Sequence, residues 1–257
     1  MKKLLINPAV FVLAAGSLFV ISCGNSGSDV AMKSPAQQTV DSTNQKEKGE
    51  NEGKENDENK SIAKPVSMVE GTDSKAKTIE NLQAAFKGET TASAKYAAYS
   101  KKAEQEGYHE IALLFKAASS AENIHANNHK AVLQESGIST PVIKPEYTVT
   151  STKENLEDAI KGETYEATTM YPEFLTVANA AGDQLAMISL TYAYKTEKKH
   201  RLMYENALAA LQNNAVKSLP TVFYICPTCG NTYETKAPAR CGISMTTGEK
   251  FIKITSL

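Results

Sequence analysis

Lys87-Gly88-Glu89-Thr90 and Lys161-Gly162-Glu163-Thr164 are the same tetrapeptide in two halves of the chain, and each opens the same longer pattern. Asn81-Leu82 precedes the first and Asn155-Leu156 the second. Glu122-Asn123-Ile124-His125 begins 33 residues after Glu89, and Glu197-Lys198-Lys199-His200 begins 34 residues after Glu163. A glutamate, a helix-length gap and a Glu-x-x-His therefore occur twice. That is the layout of a duplicated helical hairpin holding two metal ions between four helices.

The spacing explains the residue types. Positions i and i+3 share a helix face, so Glu122 and His125 reach one centre, as do Glu197 and His200. All four fall inside apolar stripes: Ile111, Leu114, Phe115 and Ala118 lead to Glu122, and Ala193 precedes Glu197. On the partner helices Leu82, Ala85 and Phe86 align with Glu89 and Tyr96, and Leu156 and Ile160 with Glu163, with Glu166 one turn on. Five carboxylates and two imidazoles thus point at one core. Unpaired, each buried carboxylate costs several kcal/mol. Cations remove that cost, and hard oxygen and nitrogen donors suit iron or manganese better than copper. A lone Glu-x-x-His is usually a solvated helix face; two in phase with a duplication are not. His129 and His109 read as surface residues, the latter at a helix boundary after Gly107.

At these residues the chain resembles the rubrerythrin family. The runs that carry the resemblance are Glu-Asn-Leu at 80–82, Phe-Lys-Gly-Glu at 86–89, Glu-Gly-Tyr at 106–108 and Met-Tyr-Pro-Glu-Phe at 170–174. It extends from about Lys77 to the C-terminus. It implies a mainly α fold: a ferritin-like di-iron four-helix bundle, then a small rubredoxin-like β module. The implied activity is reduction of hydrogen peroxide to water. By that resemblance Glu122 and Glu197 bridge two irons, Glu89 and Glu166 cap one, and Glu163 and His200 complete the other. His125 replaces Glu166 as the site is reduced. Tyr96 and Tyr171 match tyrosines just outside the ligand set, and a homodimer is implied. Tyr96 also lies two turns after Glu89 on the same face.

The chain begins Met-Lys-Lys, followed by an apolar run to Ile21 and then Ser22-Cys23. A basic start, an apolar middle and a small-residue cleavage region make a secretory signal, and Val20-Ile21-Ser22-Cys23 reads as a lipobox. Residues 1–22 are then a lipoprotein signal, and Cys23 is the lipid-bearing N-terminus. Pro8 to Ile21 is shorter than the ~20 residues a membrane span needs. Residues 23–74 are rich in Gly, Ser, Asn, Lys and Glu and read as a disordered tether. The expected result is a lipoprotein anchored to a membrane on its periplasmic or extracytoplasmic face.

The folded part divides into a bundle, 75–218, and a metal module, 219–257. Helices are predicted from about Thr78 to Glu106, His109 to Glu135, Ser151 to Ala181 and Asp183 to about Lys217. Ser151-Thr152-Lys153-Glu154 is a capping box. The long connection before it fits a crossover loop, and Pro172 predicts a kink or local strain.

The tail carries Cys226-Pro227-Thr228-Cys229, then Cys241-Gly242-Ile243-Ser244 where a second Cys-x-x-Cys belongs. Two such knuckles hold one metal in a tetrahedron. Here Cys226, Cys229, Cys241 and Ser244 are the candidates for one further iron or zinc. A metal-free module with Cys226 and Cys229 paired remains open.

Formal net charge is −1, which gives no footprint for nucleic acid. The leading function is a membrane-tethered peroxidase with an unidentified electron donor. The alternative is an iron-binding or iron-oxidising lipoprotein without turnover. A third, less favoured, is an interaction protein on a membrane tether.

Overall fold

The computed structural model describes residues 71–257. The signal, Cys23 and almost all of the tether lie outside the described residues. Five α-helices make four rods: α1 (Gly71–Gln105), α2 (His109–Glu135), α3 (Thr152–Tyr165) continued by α4 (Tyr171–Ala181), and α5 (Gln184–Gln212). Three short strands follow: β1 (Phe223–Ile225), β2 (Thr232–Glu234) and β3 (Ile252–Ile254). No helix among the described residues is long and apolar enough to cross a membrane.

α1 starts seven residues before the expected Thr78, with Asp73 in its first turn, where an acidic group favours the helix N-terminus. The capping box at Ser151 is formed in both directions. Gly182 ends α4 in the left-handed conformation, φ 67°, which glycine adopts without a Cβ penalty. Asp183 then caps α5 by accepting from the Ala186 N–H at 2.9 Å. Between α2 and α3, residues 138–151 form neither helix nor strand, a connection long enough for the crossover.

The third rod is not one α-helix. Glu166–Met170 form a π turn, in which the Tyr171 N–H donates to the Glu166 carbonyl. Pro172, lacking an N–H, falls in the first turn of α4, where no intrahelical donor is needed. The expected kink is thus a widened turn, the usual form of a π segment inside a helix.

Two apolar layers fill the bundle. One contains Tyr96, Tyr99, Phe115, Leu156 and Tyr204; the other contains Leu82, Phe86, Leu133, Tyr171 and Leu190. Along α1, α2 and α5 the change from one layer to the other falls at Glu89, Glu122–His125 and Glu197–His200. The glutamates and histidines are therefore a polar stratum between two hydrophobic ones.

The strands form an antiparallel sheet in the order β2-β1-β3, with Tyr224 opposite Tyr233 on one side and Lys253 on the other. Phe223, Ile225 and Ile254 join the core of the first layer. The module is also pinned by polar contacts. Asn128 donates to the Thr228 carbonyl at 2.9 Å, and Lys199 lies 4.2 Å over the Tyr233 ring.

Candidate metal centre

α1 contributes Glu89, α2 contributes Glu122 and His125, α3 contributes Glu163, and α5 contributes Glu197 and His200. Their donor atoms form two overlapping groups. One is Glu89, Glu122, His125 and Glu197; the other is Glu122, Glu163, Glu197 and His200; within each, the atoms lie within 4.8 Å of one another. Glu122 and Glu197 belong to both. All six residues are buried.

The two imidazoles show why this stratum needs a cation. The Nε2–H of His125 donates to the Cys229 carbonyl at 3.1 Å, and a carbonyl only accepts. The Nε2–H of His200 donates to Thr232 Oγ1 at 2.9 Å, whose own hydroxyl proton goes to the Gly230 carbonyl. Each neutral ring is thus left with a bare Nδ1. That of His125 faces Glu122 and Glu197, both at 2.9 Å. That of His200 faces Glu122 at 3.0 Å and Glu197 at 3.1 Å. Lone pairs facing carboxylates at that range require a proton or a metal between them. Outer hydrogen bonds that fix a ring's tautomer in this way are typical of metal-ligating histidines.

Among the described residues eleven buried side-chain atoms have no hydrogen-bond partner, and eight of them belong to the two groups: Glu89 Oε2, Glu163 Oε2, both oxygens of Glu122 and of Glu197, and Nδ1 of His125 and His200. The other three, on Thr152, Tyr204 and Asn231, lie outside the groups. Buried polar atoms are otherwise paired in folded proteins, so the donor set fits two metal ions. Without them, burial and the neighbouring Glu197 carboxylate drive Glu89 and Glu163 well above the usual carboxylate range. Burial opposes charge on His125 and His200, but Glu197 and Glu122 raise both.

Tyr96 donates to Glu163 Oε1 at 2.7 Å, and Tyr171 donates to Glu89 Oε1. Each tyrosine thus holds the outer oxygen of one terminal carboxylate. Glu166, at the start of the π turn, is half-buried and outside both converging groups. Burial, then Glu197 and Glu122, raise its carboxyl to about 8.

His129 corrects the sequence reading. It is fully buried, not at the surface, and is hydrogen-bonded to Tyr171 and Ser189. Its position seven residues after Glu122 on the same face was the available signal. His109 is a boundary residue as read, 2.9 Å from Glu104. Thr232 and the Cys229 carbonyl were missed because nothing in the sequence brings the tail to the bundle. Gly230 marks that approach: at φ 76°, a Cβ there would lie 2.3 Å from His125 Nε2.

In the tail, the sulfurs of Cys226, Cys229 and Cys241 converge within 4.8 Å. All three are free thiols, so the pairing of Cys226 with Cys229 is not formed. Ser244 Oγ lies 3.1 Å from Cys226 Sγ, in the fourth corner of the cluster. The Cys229 thiol, against burial and with help from the Ser244 hydroxyl, holds Cys226 down to about 4. An open groove lined by Ala97, Ser100, Lys101 and Lys116 contains none of these ligand groups.

The family model described as Rubrerythrin matches residues 80–208. Rubrerythrin-2 of Clostridium acetobutylicum is 33% identical over 177 residues, 68% of this chain and 96% of the relative. Nigerythrin of Nitratidesulfovibrio vulgaris is 35% identical over 168 residues, 65% of this chain and 81% of the relative. Among solved structures, the fully reduced, all-ferrous state of nigerythrin superposes with a TM-score of 0.61 at 33% identity, covering 68% of this chain and 86% of that one. A Desulfovibrio desulfuricans bacterioferritin, described by its di-iron site, gives 0.52 at 25% identity, covering 58% and 88%. The shared helices carry the duplicated glutamates and histidines, and the chain belongs to the rubrerythrin family.

Proposed function

We propose that this protein is a di-iron oxidoreductase that reduces hydrogen peroxide to water, held at a membrane outside the cytoplasm through acylated Cys23. The observation that carries the enzymatic part is the set of eight orphaned donor atoms, all aimed into two overlapping groups that share Glu122 and Glu197. Family membership and the all-ferrous nigerythrin neighbour favour iron.

In this reading Glu122 and Glu197, common to both groups, would help to hold both ions, with Glu89 and His125 completing one group and Glu163 and His200 the other. A ferrous pair held there would supply the two electrons that convert peroxide and two protons into two waters. The chain's own residues do the rest. Tyr96 keeps a proton at Glu163, and Tyr171 keeps one at Glu89, each within the buried stratum. The apolar layers above and below exclude bulk water. Glu166, held outside the groups on the π turn, is the carboxylate free to exchange with His125 as the charge on the site changes. Two hydrogen bonds join the tail to the centre, from His125 to the Cys229 carbonyl and from His200 to Thr232 Oγ1, which makes the tail the candidate point of electron entry. Cys226, Cys229, Cys241 and Ser244 would hold its metal, iron or zinc.

The test is turnover by the iron-loaded protein with a chemical reductant. Repeated consumption of peroxide per site is expected. Consumption only once per site would instead assign the alternative role of iron binding and oxidation. The membrane part rests on the lipobox before Cys23. Cys23→Ser should release the protein from membranes, and retention of a correctly cleaved variant would contradict anchoring.

A further inference from the structure

His129 is buried, and no step above uses it. Both ring nitrogens are nevertheless engaged. Nε2 is 3.2 Å from the Tyr171 hydroxyl, and Nδ1 is 2.8 Å from Ser189 Oγ. Tyr171 in turn reaches Glu89. The chain of bonds crosses four helices: Ser189 on α5, His129 on α2, Tyr171 on α4 and Glu89 on α1. Histidine, tyrosine and glutamate are at most 1% exposed, and the serine is 3% exposed.

The direction of each bond follows from its donors. A carboxylate ligand only accepts, so Tyr171 gives its single proton to Glu89 Oε1. The phenol oxygen can then only accept, and the donor facing it is the His129 Nε2–H. Nδ1 is therefore bare and accepts the Ser189 Oγ–H. Burial pushes the imidazole down to about 3, with His125 adding to the shift. A neutral ring with one donor and one acceptor is what this arrangement needs.

We propose that His129, with its tautomer fixed by Ser189, is a positioning residue that holds the Tyr171 hydroxyl on Glu89 and thereby aims Glu89 Oε2 at the metal. Oε2 has no hydrogen-bond partner of its own, so the bond at Oε1 is what orients the carboxylate. Without a donor from His129, the phenol oxygen is left unsatisfied in an apolar layer, and its hydroxyl has no fixed direction. An apolar side chain would fill the same space but leave Tyr171 unheld. The proposal rests on the reading of Glu89 as a ligand.

The test uses the full chain loaded with zinc, which is diamagnetic, and carrying ring-¹⁵N histidine. NMR should find His129 as the Nε2–H tautomer, and Ser189→Ala should weaken that preference. An Nδ1–H tautomer in the unmodified protein would overturn the proposal. Competition with a chelator supplies a second readout. His129→Leu should weaken zinc binding in the bundle about 10- to 100-fold, as loss of an outer partner does. His129→Gln, whose amide can donate to the phenol, should recover most of it. In a Tyr171→Phe background, His129→Leu should have no further effect; an undiminished effect there would show that His129 does not act through Tyr171. A chain that takes no metal in the bundle contradicts the di-iron reading and this proposal with it, whereas zinc bound as tightly by His129→Leu as by the unmodified chain overturns this proposal alone.

Discussion

Gly230 is where a single atom would do the most damage. Its φ of 76° belongs to the left-handed region, and a Cβ would meet His125 Nε2 at 2.3 Å and the Ala121 carbonyl at 3.1 Å. His125 has no room to yield, because Nε2 is bonded to the Cys229 carbonyl and Nδ1 faces two carboxylates. Gly230→Ala should therefore lose about 1–2 kcal/mol from backbone conformation alone. It should also displace His125 and loosen metal binding in the bundle. Denaturant unfolding and chelator competition check this; an alanine variant with unchanged stability and affinity would mean that the tail does not pack on His125. The converging glutamates and histidines were legible at this scale, because duplication separates the buried glutamates from the many solvated ones. His129 was not. A histidine one turn past a ligand is more often solvated, and its partners Tyr171 and Ser189 lie on other helices.

Among the elements, the capping box and the crossover follow from local chemistry and were readable. The π turn was not, because Pro172 announces a break without saying how it is absorbed. Inserted between Glu163 and Tyr171, the turn places Glu166 outside the converging groups and delivers Tyr171, buried, onto Glu89. In the tail, the convergence of Cys226, Cys229 and Cys241 with Ser244 beside them was legible from the spacing. Ser244 Oγ, besides facing Cys226, shares a hydrogen bond with Thr246 Oγ1 at 2.8 Å. An oxygen in the place of a fourth sulfur alters sulfur-to-iron charge transfer. The iron-loaded native tail should thus lack the visible spectrum of a four-thiolate site, and Ser244→Cys should create it. A four-thiolate spectrum from the unmodified chain would mean that a thiolate arrives from elsewhere. Higher peroxide turnover in Ser244→Cys would identify the tail as a weakened electron entry point.

For the whole molecule, the polar stratum makes stability depend on metal and pH together. In the metal-free chain, burial and neighbouring carboxylates raise Glu89 and Glu163, and raise Glu166 from 4.5 to about 8. The folded state then keeps protons that the unfolded chain releases. That contribution is complete below the unfolded value and is lost as pH rises through the folded one. His200, raised from 6.5 to about 9 by Glu122 and Glu197 against burial, acts in the same direction. Glu122 is lowered, through His200 and His125 and against burial, so its opposite effect is confined to acid below the ordinary carboxylate value; His129, pushed from 6.5 down to about 3 by burial and His125, also acts oppositely and offsets part of the loss below about pH 6.5. The metal-free protein should lose thermal stability from about pH 5 to about pH 9, most steeply above about pH 6.5, and loading with metal should remove most of that slope. A melting temperature that is flat or rises over this range without metal would contradict the electrostatics.

The central claim is that two ions share Glu122 and Glu197. Mössbauer spectroscopy with metal analysis on the full chain tests it most directly, because iron bound by oxygen and nitrogen in the bundle is distinguished from iron bound by thiolates in the tail. The account predicts two oxygen- and nitrogen-ligated irons per chain, and the loss of both together when Glu122 and Glu197 are replaced by alanine. Two such irons retained in that double variant, or a single one in the unmodified protein at saturating iron, would contradict it.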